Sequence, residues 1–168
     1  SIAKPLHSLG KMEDIIVQIA GITGNPDMNL AKRALVAMCA DNGVVEEGVT
    51  QTGQEVTAIV AENFLSGATS ACTMCRQCGT DVYPVDVGMA VDTKVPTDLK
   101  VAMGTRNMVK EPAMTREEAV RGIEAGIEMV SRLTSEGYGL LATGEMGIGN
   151  TTTSSAVASV LLDRPVEE

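Results

Sequence analysis

The chain has 168 residues, of which 44% are hydrophobic, and a net charge of −9 at pH 7. This length suffices for one domain with a hydrophobic core. Nucleic-acid-binding domains have basic surfaces or aromatic residues that stack on bases, and this chain is acidic and poor in aromatic residues. We therefore expect no nucleic-acid partner. No apolar run approaches the roughly 20 residues of a membrane span, and no apolar signal-peptide core opens the chain, so we expect a cytoplasmic enzyme or binding domain with no membrane partner.

The first half of the chain predicts three helices around one strand. Apolar residues recur at helical spacing over 9–22. The unbroken apolar run 34–40 is typical of a strand that is buried on both faces. Thr52 and Glu55 fit a capping box that would begin the next helix, and residues 68–78 continue as a further helix.

Two more strands and two more helices are predicted after this point. Residues 81–88 predict a second buried strand, and a long loop follows it. Thr115 and Glu118 fit a second capping box. The helix after this box has apolar residues at helical spacing that we expect to face the core: Val120, Ile123, Ile127, Val130 and Leu133. A third strand is predicted over 138–143 and a last helix over 152–162.

Strands that alternate with helices predict an α/β fold with a three-layer, Rossmann-like parallel sheet. In such sheets, ligands bind beyond the carboxyl ends of the strands. Three predicted loops leave the strands at that edge, over residues 41–48, 87–92 and 144–150. We therefore expect a ligand site that is built from these loops.

The loop after the third strand opens the segment GEMGIGNTTTSS, residues 144–155. Unpaired N–H groups and the dipole at the start of the following helix favour an anion, and glycines allow a phosphate to approach the backbone closely. The spacing from Gly144 to Gly149, Asn150 and Thr151 imitates a P-loop, but Asn stands where a P-loop has Lys. That difference argues against a nucleotide hydrolase, and a tight turn with a simple helix cap is the alternative without a ligand.

Acidic side chains accompany this predicted phosphate site. Glu145 lies inside the glycine loop, where a phosphate would repel it, so we expect it to serve a ribose hydroxyl or to be an exposed loop residue. Asp41 directly follows a buried strand, which fixes its position, whereas Glu46 and Glu47 are expected to be solvated. His7 is the one histidine, which argues against a catalytic triad or a zinc site.

The cysteines do not match a known metal site. Cys72, Cys75 and Cys78 occupy the first three positions of a ferredoxin run, but Val82 stands at the fourth. Free cysteines are commonly small core residues, and four cysteines are too few for a disulfide scaffold in a chain of this size. We therefore expect no metal and no disulfide framework.

Several segments, in this order, resemble one family: KPLHSLGKME, ADNGVVEEGVT, EVTAIVAENFLSGA, VYPVDVGM, GTRNM, EPAMT and GEMGIGNTT. The family is nicotinate-nucleotide:dimethylbenzimidazole phosphoribosyltransferase, and the resemblance covers nearly the whole chain. It implies transfer of the ribose phosphate of nicotinate mononucleotide to a benzimidazole-type base, which gives α-ribazole phosphate for the lower ligand of cobalamin. It also implies homodimers, no metal or redox cofactor, and an α/β domain over 31–168 beside a small helical subdomain to which residues 1–30 belong.

The resemblance assigns roles to residues of the candidate site. The mononucleotide phosphate would be held by Gly147, Gly149, Asn150 and Thr151. Glu145 would face the ribose or the base, and Asp41 begins a matching D-x-G turn. The base pocket would be lined by Thr52, Val56, Val60 and Met146. The family often has polar residues in place of Thr52 and Val60, so Val60 makes this pocket more apolar and leaves the preferred base open. The family usually has His in place of Asn42 and Gly in place of His7.

The family is about twice as long as this chain, and its general base and a phosphate-binding lysine lie in the second half. The resemblance therefore places no catalytic residue in this chain and makes the α/β domain incomplete at its C-terminus. It predicts weak phosphate binding with little or no turnover. The alternative is a half-length nucleotide-binding module or subunit that pairs with a second chain and lacks catalysis on its own.

Overall fold

A computed structural model describes residues 3–167 of the chain. Its centre is a parallel sheet in the order β2-β1-β3. The strands are β1 (Arg33–Ala40), β2 (Thr80–Gly88) and β3 (Leu140–Met146). The helices are α1 (Lys11–Thr23), α2 (Glu55–Ser66), α3 (Ser70–Cys78), α4 (Arg116–Ser135) and α5 (Asn150–Leu162), and a short 3₁₀ helix spans Gly43–Glu47.

Successive side chains of a strand point to opposite faces of the sheet. The strands therefore contribute apolar side chains to a hydrophobic cluster on each face. On one face, β1 and β2 pack against α4 in a cluster formed by Ala34, Val36, Val85, Met129, Leu133 and Tyr138. On the other face, the buried cluster is formed by Cys39, Ala61, Met89 and Val95, with Phe64 and Met146 packed against it. The predicted α/β architecture, a parallel sheet between helices, is confirmed.

The chain divides into two compact units, of which one ends at Ala31 and the other begins at Lys32. The first unit contains α1, and the second contains the sheet with the remaining helices. The assignment of residues 1–30 to a helical subdomain and of 31–168 to an incomplete domain stays a prediction. Within the described residues, no helix combines the length and apolar character needed to cross a bilayer.

The third strand lies further along the chain than predicted. It runs over Leu140–Met146 instead of 138–143, because its pairing with β1 continues to the partners Cys39 and Met146. The predicted loop residues Gly144, Glu145 and Met146 therefore belong to the strand. As a consequence, the turn between β3 and α5 is only three residues long, and α5 begins two residues earlier than predicted.

The two predicted capping boxes have different outcomes. The box of Thr115 and Glu118 is confirmed, since each side chain accepts a hydrogen bond from the other residue's backbone N–H. The box of Thr52 is wrong: Gln54 occupies the N-cap of α2 and makes no side-chain cap bond. The Gln54 side chain instead donates to the backbone oxygen of Asn42 at 3.0 Å, and Thr52 is an exposed loop residue.

Helix α4 turns a different face to the core than predicted. Its buried residues are Ala125, Met129 and Leu133, which are spaced four residues apart. Of the apolar residues that were predicted to be buried, only Leu133 is, whereas the others are exposed: Val120, Ile123, Ile127 and Val130. Apolar residues occupy two neighbouring stripes of this helix, and the three-stranded sheet covers one of them.

Candidate functional site

The loops that leave the carboxyl ends of β1 and β2 meet at Asp41. Its backbone N–H donates to Gly88 at 2.9 Å, and its backbone oxygen accepts from Thr105 at 3.0 Å. Its carboxylate Oδ2 accepts from the Ala90 N–H at 2.7 Å. The side chain is buried, and its Oδ1 has no donor within the described residues. Asp41 thus joins the loops after β1 and β2 at the predicted edge of the sheet.

The turn after β3 requires glycine at two positions. A Cβ on Gly147 would lie 2.3 Å from the backbone oxygen of Ala40. Gly149 has a φ of 87°, which disfavours other residues, and its Cβ would lie 2.9 Å from Cγ2 of Val45. The glycines therefore allow this turn to pack directly against the chain that leaves β1.

The peptide groups of Ile148 are bonded on both sides of this turn. Its N–H donates to Oγ1 of Thr57 on α2 at 3.0 Å, and its carbonyl oxygen accepts from Nδ2 of Asn42 at 3.0 Å. Neither Asn42 nor Thr57 was predicted to have a role in the site. A threonine among the apolar residues of α2 was the available signal for Thr57, because a buried hydroxyl needs a hydrogen-bond partner.

Two backbone N–H groups at the start of α5 have no acceptor among the described residues. The N–H of Asn150 donates to Gly147 at 3.0 Å, and the first helical bond runs from Thr153 to Gly149 at 3.3 Å. The N–H groups of Thr151 and Thr152 have no acceptor within residues 3–167. Free N–H groups in the first turn of a helix attract anions, and the helix dipole adds to this attraction. The phosphate site at the glycine turn stays a prediction.

Glu145 and Met146 lie on opposite faces of the sheet, since neighbouring residues of a strand alternate. Met146 packs on the side of α2, against the cluster that contains Cys39 and Ala61. Glu145 is exposed, and its Oε1 accepts a hydrogen bond from Nδ2 of Asn150. Its carboxylate is thereby held beside the first turn of α5.

The predicted base-pocket residues gather around α2. Val56 and Val60 lie one turn apart on this helix and are half-buried. Met146 packs against the cluster on the same side of the sheet. Thr52 lies in the loop before α2 and is exposed. The α2 side of the sheet therefore carries the apolar residues of the predicted pocket next to the glycine turn.

Carboxylates next to this edge already have partners. Glu46 forms a salt bridge with Lys110 at 2.5 Å, and hydrogen bonding to this lysine holds the pKa of the carboxyl below its usual range. Glu47 accepts from Nδ2 of Asn107 at 2.6 Å. Both glutamates are exposed, as predicted, but they are engaged in bonds to the loop after β2.

The four cysteines are free thiols. Cys39 and Cys72 are buried, Cys75 is half-buried and Cys78 is exposed. In the part of the chain that the structure describes, no three side chains of His, Cys, Asp or Glu come together in a way that suits a metal ion.

An apolar groove of about 500 Å³ lies away from these loops, between α4 and the strands β1 and β3. Its walls include Val36, Met38, Ile123, Ile127 and Leu141. Because it is lined by residues of β1, β3 and α4, it is separate from the glycine turn 147–149.

The chain matches proteins of one enzymatic class over its whole length. A sequence model of a phosphoribosyltransferase family matches residues 1–168. A nicotinate-nucleotide–dimethylbenzimidazole phosphoribosyltransferase from Clostridium tetani is 52% identical over 163 residues, which cover 96% of this chain and 45% of that protein. A protein of the same name from Geobacter metallireducens is 44% identical over 168 residues, which cover 98% of this chain and 48% of the relative.

Two crystal structures from Thermus thermophilus share the fold. One, described as CobT, has a TM-score of 0.89 and 40% identity, and the match covers 98% of this chain and 50% of that chain. The other, described as the nicotinate-nucleotide–dimethylbenzimidazole phosphoribosyltransferase, has a TM-score of 0.90 and 39% identity over 98% of this chain and 51% of that chain. The chain thus spans about half the length of the relatives it matches. It belongs to the nicotinate-nucleotide–dimethylbenzimidazole phosphoribosyltransferase family.

Proposed function

We propose that this chain is the mononucleotide- and base-binding half of an enzyme that transfers the phosphoribosyl group of nicotinate mononucleotide to dimethylbenzimidazole or a similar base. The products would be α-ribazole phosphate, for the lower ligand of cobalamin, and nicotinate. Family membership supports the reaction class, and the names of the relatives supply the two substrates. The proposal places the enzyme in the cytoplasm, as a homodimer or paired with a second chain.

The free N–H groups of Thr151 and Thr152 carry this proposal. They lie at the start of a helix of 13 residues, behind a glycine turn that a phosphate can approach closely. Gly147, Gly149, Asn150 and Thr151 would form the phosphate site. No lysine follows Gly149, which favours a monophosphate over the β- and γ-phosphates of a nucleoside triphosphate.

Glu145 would serve the ribose. The hydrogen bond from Asn150 to its Oε1 holds the carboxylate beside the phosphate site and leaves Oε2 for a ribose hydroxyl. Displacement at the anomeric carbon develops positive charge on the ribose, and a fixed carboxylate stabilises such charge. Asp41 would contribute indirectly, because it holds the loops after β1 and β2 together.

The acceptor base would lie on the α2 side of the sheet. Val56, Val60 and Met146 would provide an apolar wall there, with Thr52 at its exposed end. A planar, apolar base such as a benzimidazole suits a wall of this composition. The half-buried Val60 offers no hydrogen bond from its side chain, so it would not help to choose between bases by their polar groups.

Turnover would require groups outside this chain. Asp41 is buried and accepts the backbone N–H of Ala90, and Glu46 is paired with Lys110. Glu145 is assigned to the ribose, so none of these carboxylates is proposed as the general base. General-base assistance contributes typically about 10²–10⁴ to a rate. We expect this chain by itself to bind the mononucleotide weakly and to form little or no α-ribazole phosphate. A normal rate of product formation by the isolated chain would contradict this expectation.

Calorimetric titration with nicotinate mononucleotide tests the phosphate site. Gly149→Ala is expected to lower the affinity about tenfold, because the residue at 149 has a φ of 87° and its Cβ would meet Val45. Gly122→Ala is the matched control, since its Cβ would meet nothing within 4 Å. The phosphate assignment fails if the unchanged chain does not bind the mononucleotide or if Gly149→Ala binds it equally well. In a parallel titration, ATP binding would favour a nucleotide hydrolase instead.

A further inference from the structure

The peptide groups of Ile148 are the fixed point of the glycine turn. The N–H is held by Oγ1 of Thr57 and the carbonyl oxygen by Nδ2 of Asn42, both at 3.0 Å. Thr57 is 0% exposed, so water cannot replace its hydroxyl as the acceptor. The turn is therefore held from α2 on one side and from the end of β1 on the other.

Asn42 connects this turn to two further elements. Its Oδ1 accepts from the Thr153 hydroxyl in α5 at 3.2 Å, and its backbone oxygen accepts from Gln54 at the start of α2 at 3.0 Å. One asparagine thus bonds to the glycine turn, to the helix behind the anion-binding N–H groups and to the helix of the base pocket.

We propose that Asn42 and Thr57 are positioning residues for the mononucleotide, an inference that rests on the proposed function. The Ile148 N–H is already used by Thr57, so it does not donate to the phosphate. The N–H donors that are free within the described residues are those of Thr151 and Thr152. The conformation of the glycine turn determines where these two N–H groups lie. Because the clamp on Ile148 fixes the turn before the ligand arrives, binding does not have to order it, and preorganisation of this kind increases affinity.

The clamp also relates the two substrate sites to each other. Thr57 is next to Val56 and one turn before Ala61 on α2, and its hydroxyl holds the phosphate-binding turn. The hydrogen bond from Ile148 to Thr57, together with the link from Gln54 through Asn42 to Ile148, therefore constrains the spacing between the α2 side of the base pocket and the phosphate site. A transfer reaction depends on such spacing, because the acceptor nitrogen has to approach the anomeric carbon closely.

The test compares Thr57→Val, Thr57→Ser and Thr69→Val in the 168-residue chain. Valine has the shape of threonine without the hydroxyl, and serine restores the hydroxyl. Thr69 is the matched control: its Oγ1 also accepts a backbone N–H, from Cys72 at 3.1 Å, at the N-cap of α3. Two measurements are made on each variant, the affinity for nicotinate mononucleotide by calorimetry and the hydrogen exchange of the Ile148 amide by NMR.

Thr57→Val is expected to lower the affinity about fivefold and to speed exchange at Ile148 by at least the same factor, which is the effect of one lost hydrogen bond. Thr57→Ser is expected to restore both. Thr69→Val is expected to lower the thermal unfolding temperature but to leave both measurements unchanged. Asn42→Ala is expected to act like Thr57→Val, and the double variant is expected to lose less than the sum of both, because the two bonds hold one residue.

The inference is overturned if Thr57→Val binds as tightly as the unchanged chain, or if Thr69→Val weakens binding equally. Failure of the proposed function has a different result, namely no mononucleotide binding by the unchanged chain. In that case the exchange measurement still decides about the clamp, since unchanged protection of Ile148 in Thr57→Val contradicts it.

Discussion

Cys39 is completely buried near the end of β1, where the loss of solvation raises the pKa of its thiol to about 11. Because the thiolate is the reactive form, alkylation of the folded chain at neutral pH is expected to modify the exposed Cys78 and to spare Cys39. Peptide mass spectrometry after a timed reaction measures this difference. The unfolded chain is the control, in which all four cysteines are expected to react. Equal labelling of Cys39 and Cys78 in the folded chain would contradict the burial of Cys39.

Single residues of the candidate site were predictable where the residue type does not suit the strand or helix beside it. The glycines of 144–155 and Asp41, which follows the apolar run of β1, are examples. Asn42 and Thr57 were missed, because their importance comes from hydrogen bonds to Ile148, more than 90 positions away in the chain. A pattern within one segment carries no information about a partner that the fold brings from another.

The two tyrosines join β2 to the segment just before β3. Tyr138 donates to the Asp81 carboxylate at 2.6 Å, and Tyr83 lies 2.7 Å from the Tyr138 oxygen. A phenol has one proton to donate, so Tyr83 is the donor to Tyr138. The bond to Asp81 raises the pKa of Tyr138 above its ordinary value of about 10, because it stabilises the neutral phenol.

This raised pKa predicts how stability depends on pH. The contribution of Tyr138 to stability is fully present below the ordinary pKa of a tyrosine and is lost as the pH rises towards the raised value in the folded chain. Above about pH 10, the free energy of unfolding is expected to fall more steeply for the unchanged chain than for Tyr138→Phe. Urea unfolding at a series of alkaline pH values measures both slopes. Parallel slopes would show that the bond to Asp81 does not persist in solution.

The same sequence pattern had different outcomes in different elements. Strand β1 was predictable from the unbroken apolar run 34–40, and β2 was predicted over 81–88. The end of β3 was not predictable, because GEM has no apolar run and becomes a strand only through its pairing with β1. The two capping-box patterns are equivalent in sequence, but the N-cap of α2 is Gln54 instead of Thr52, and the Gln54 side chain bonds to Asn42. Pairing and contacts with other segments decided these boundaries.

Several apolar surfaces of the protein have no cover within the described residues. The groove beside α4 is bordered by Ile123 and Ile127, which are 67% and 61% exposed. No residue of α5 is buried, and its large apolar side chains are exposed: Val157, Val160, Leu161 and Leu162. Helical periodicity predicts that a face is apolar, but it cannot tell which segment covers that face. This is why the predicted burial of α4 was wrong for Ile123 and Ile127.

Parallel sheets are normally covered on both faces, and exposed apolar patches of this kind usually mark contacts between polypeptides. We therefore expect the isolated chain to self-associate as its concentration rises. Ile127→Lys is expected to reduce this association and to change the free energy of unfolding by less than about 0.5 kcal/mol, because the side chain is mostly exposed. Met74→Lys on α3 is the matched control, since Met74 is 64% exposed and lies outside the groove. Sedimentation velocity measures the association. A monomer at every concentration, or an equal effect of both substitutions, would show that the groove beside α4 is not the contact surface.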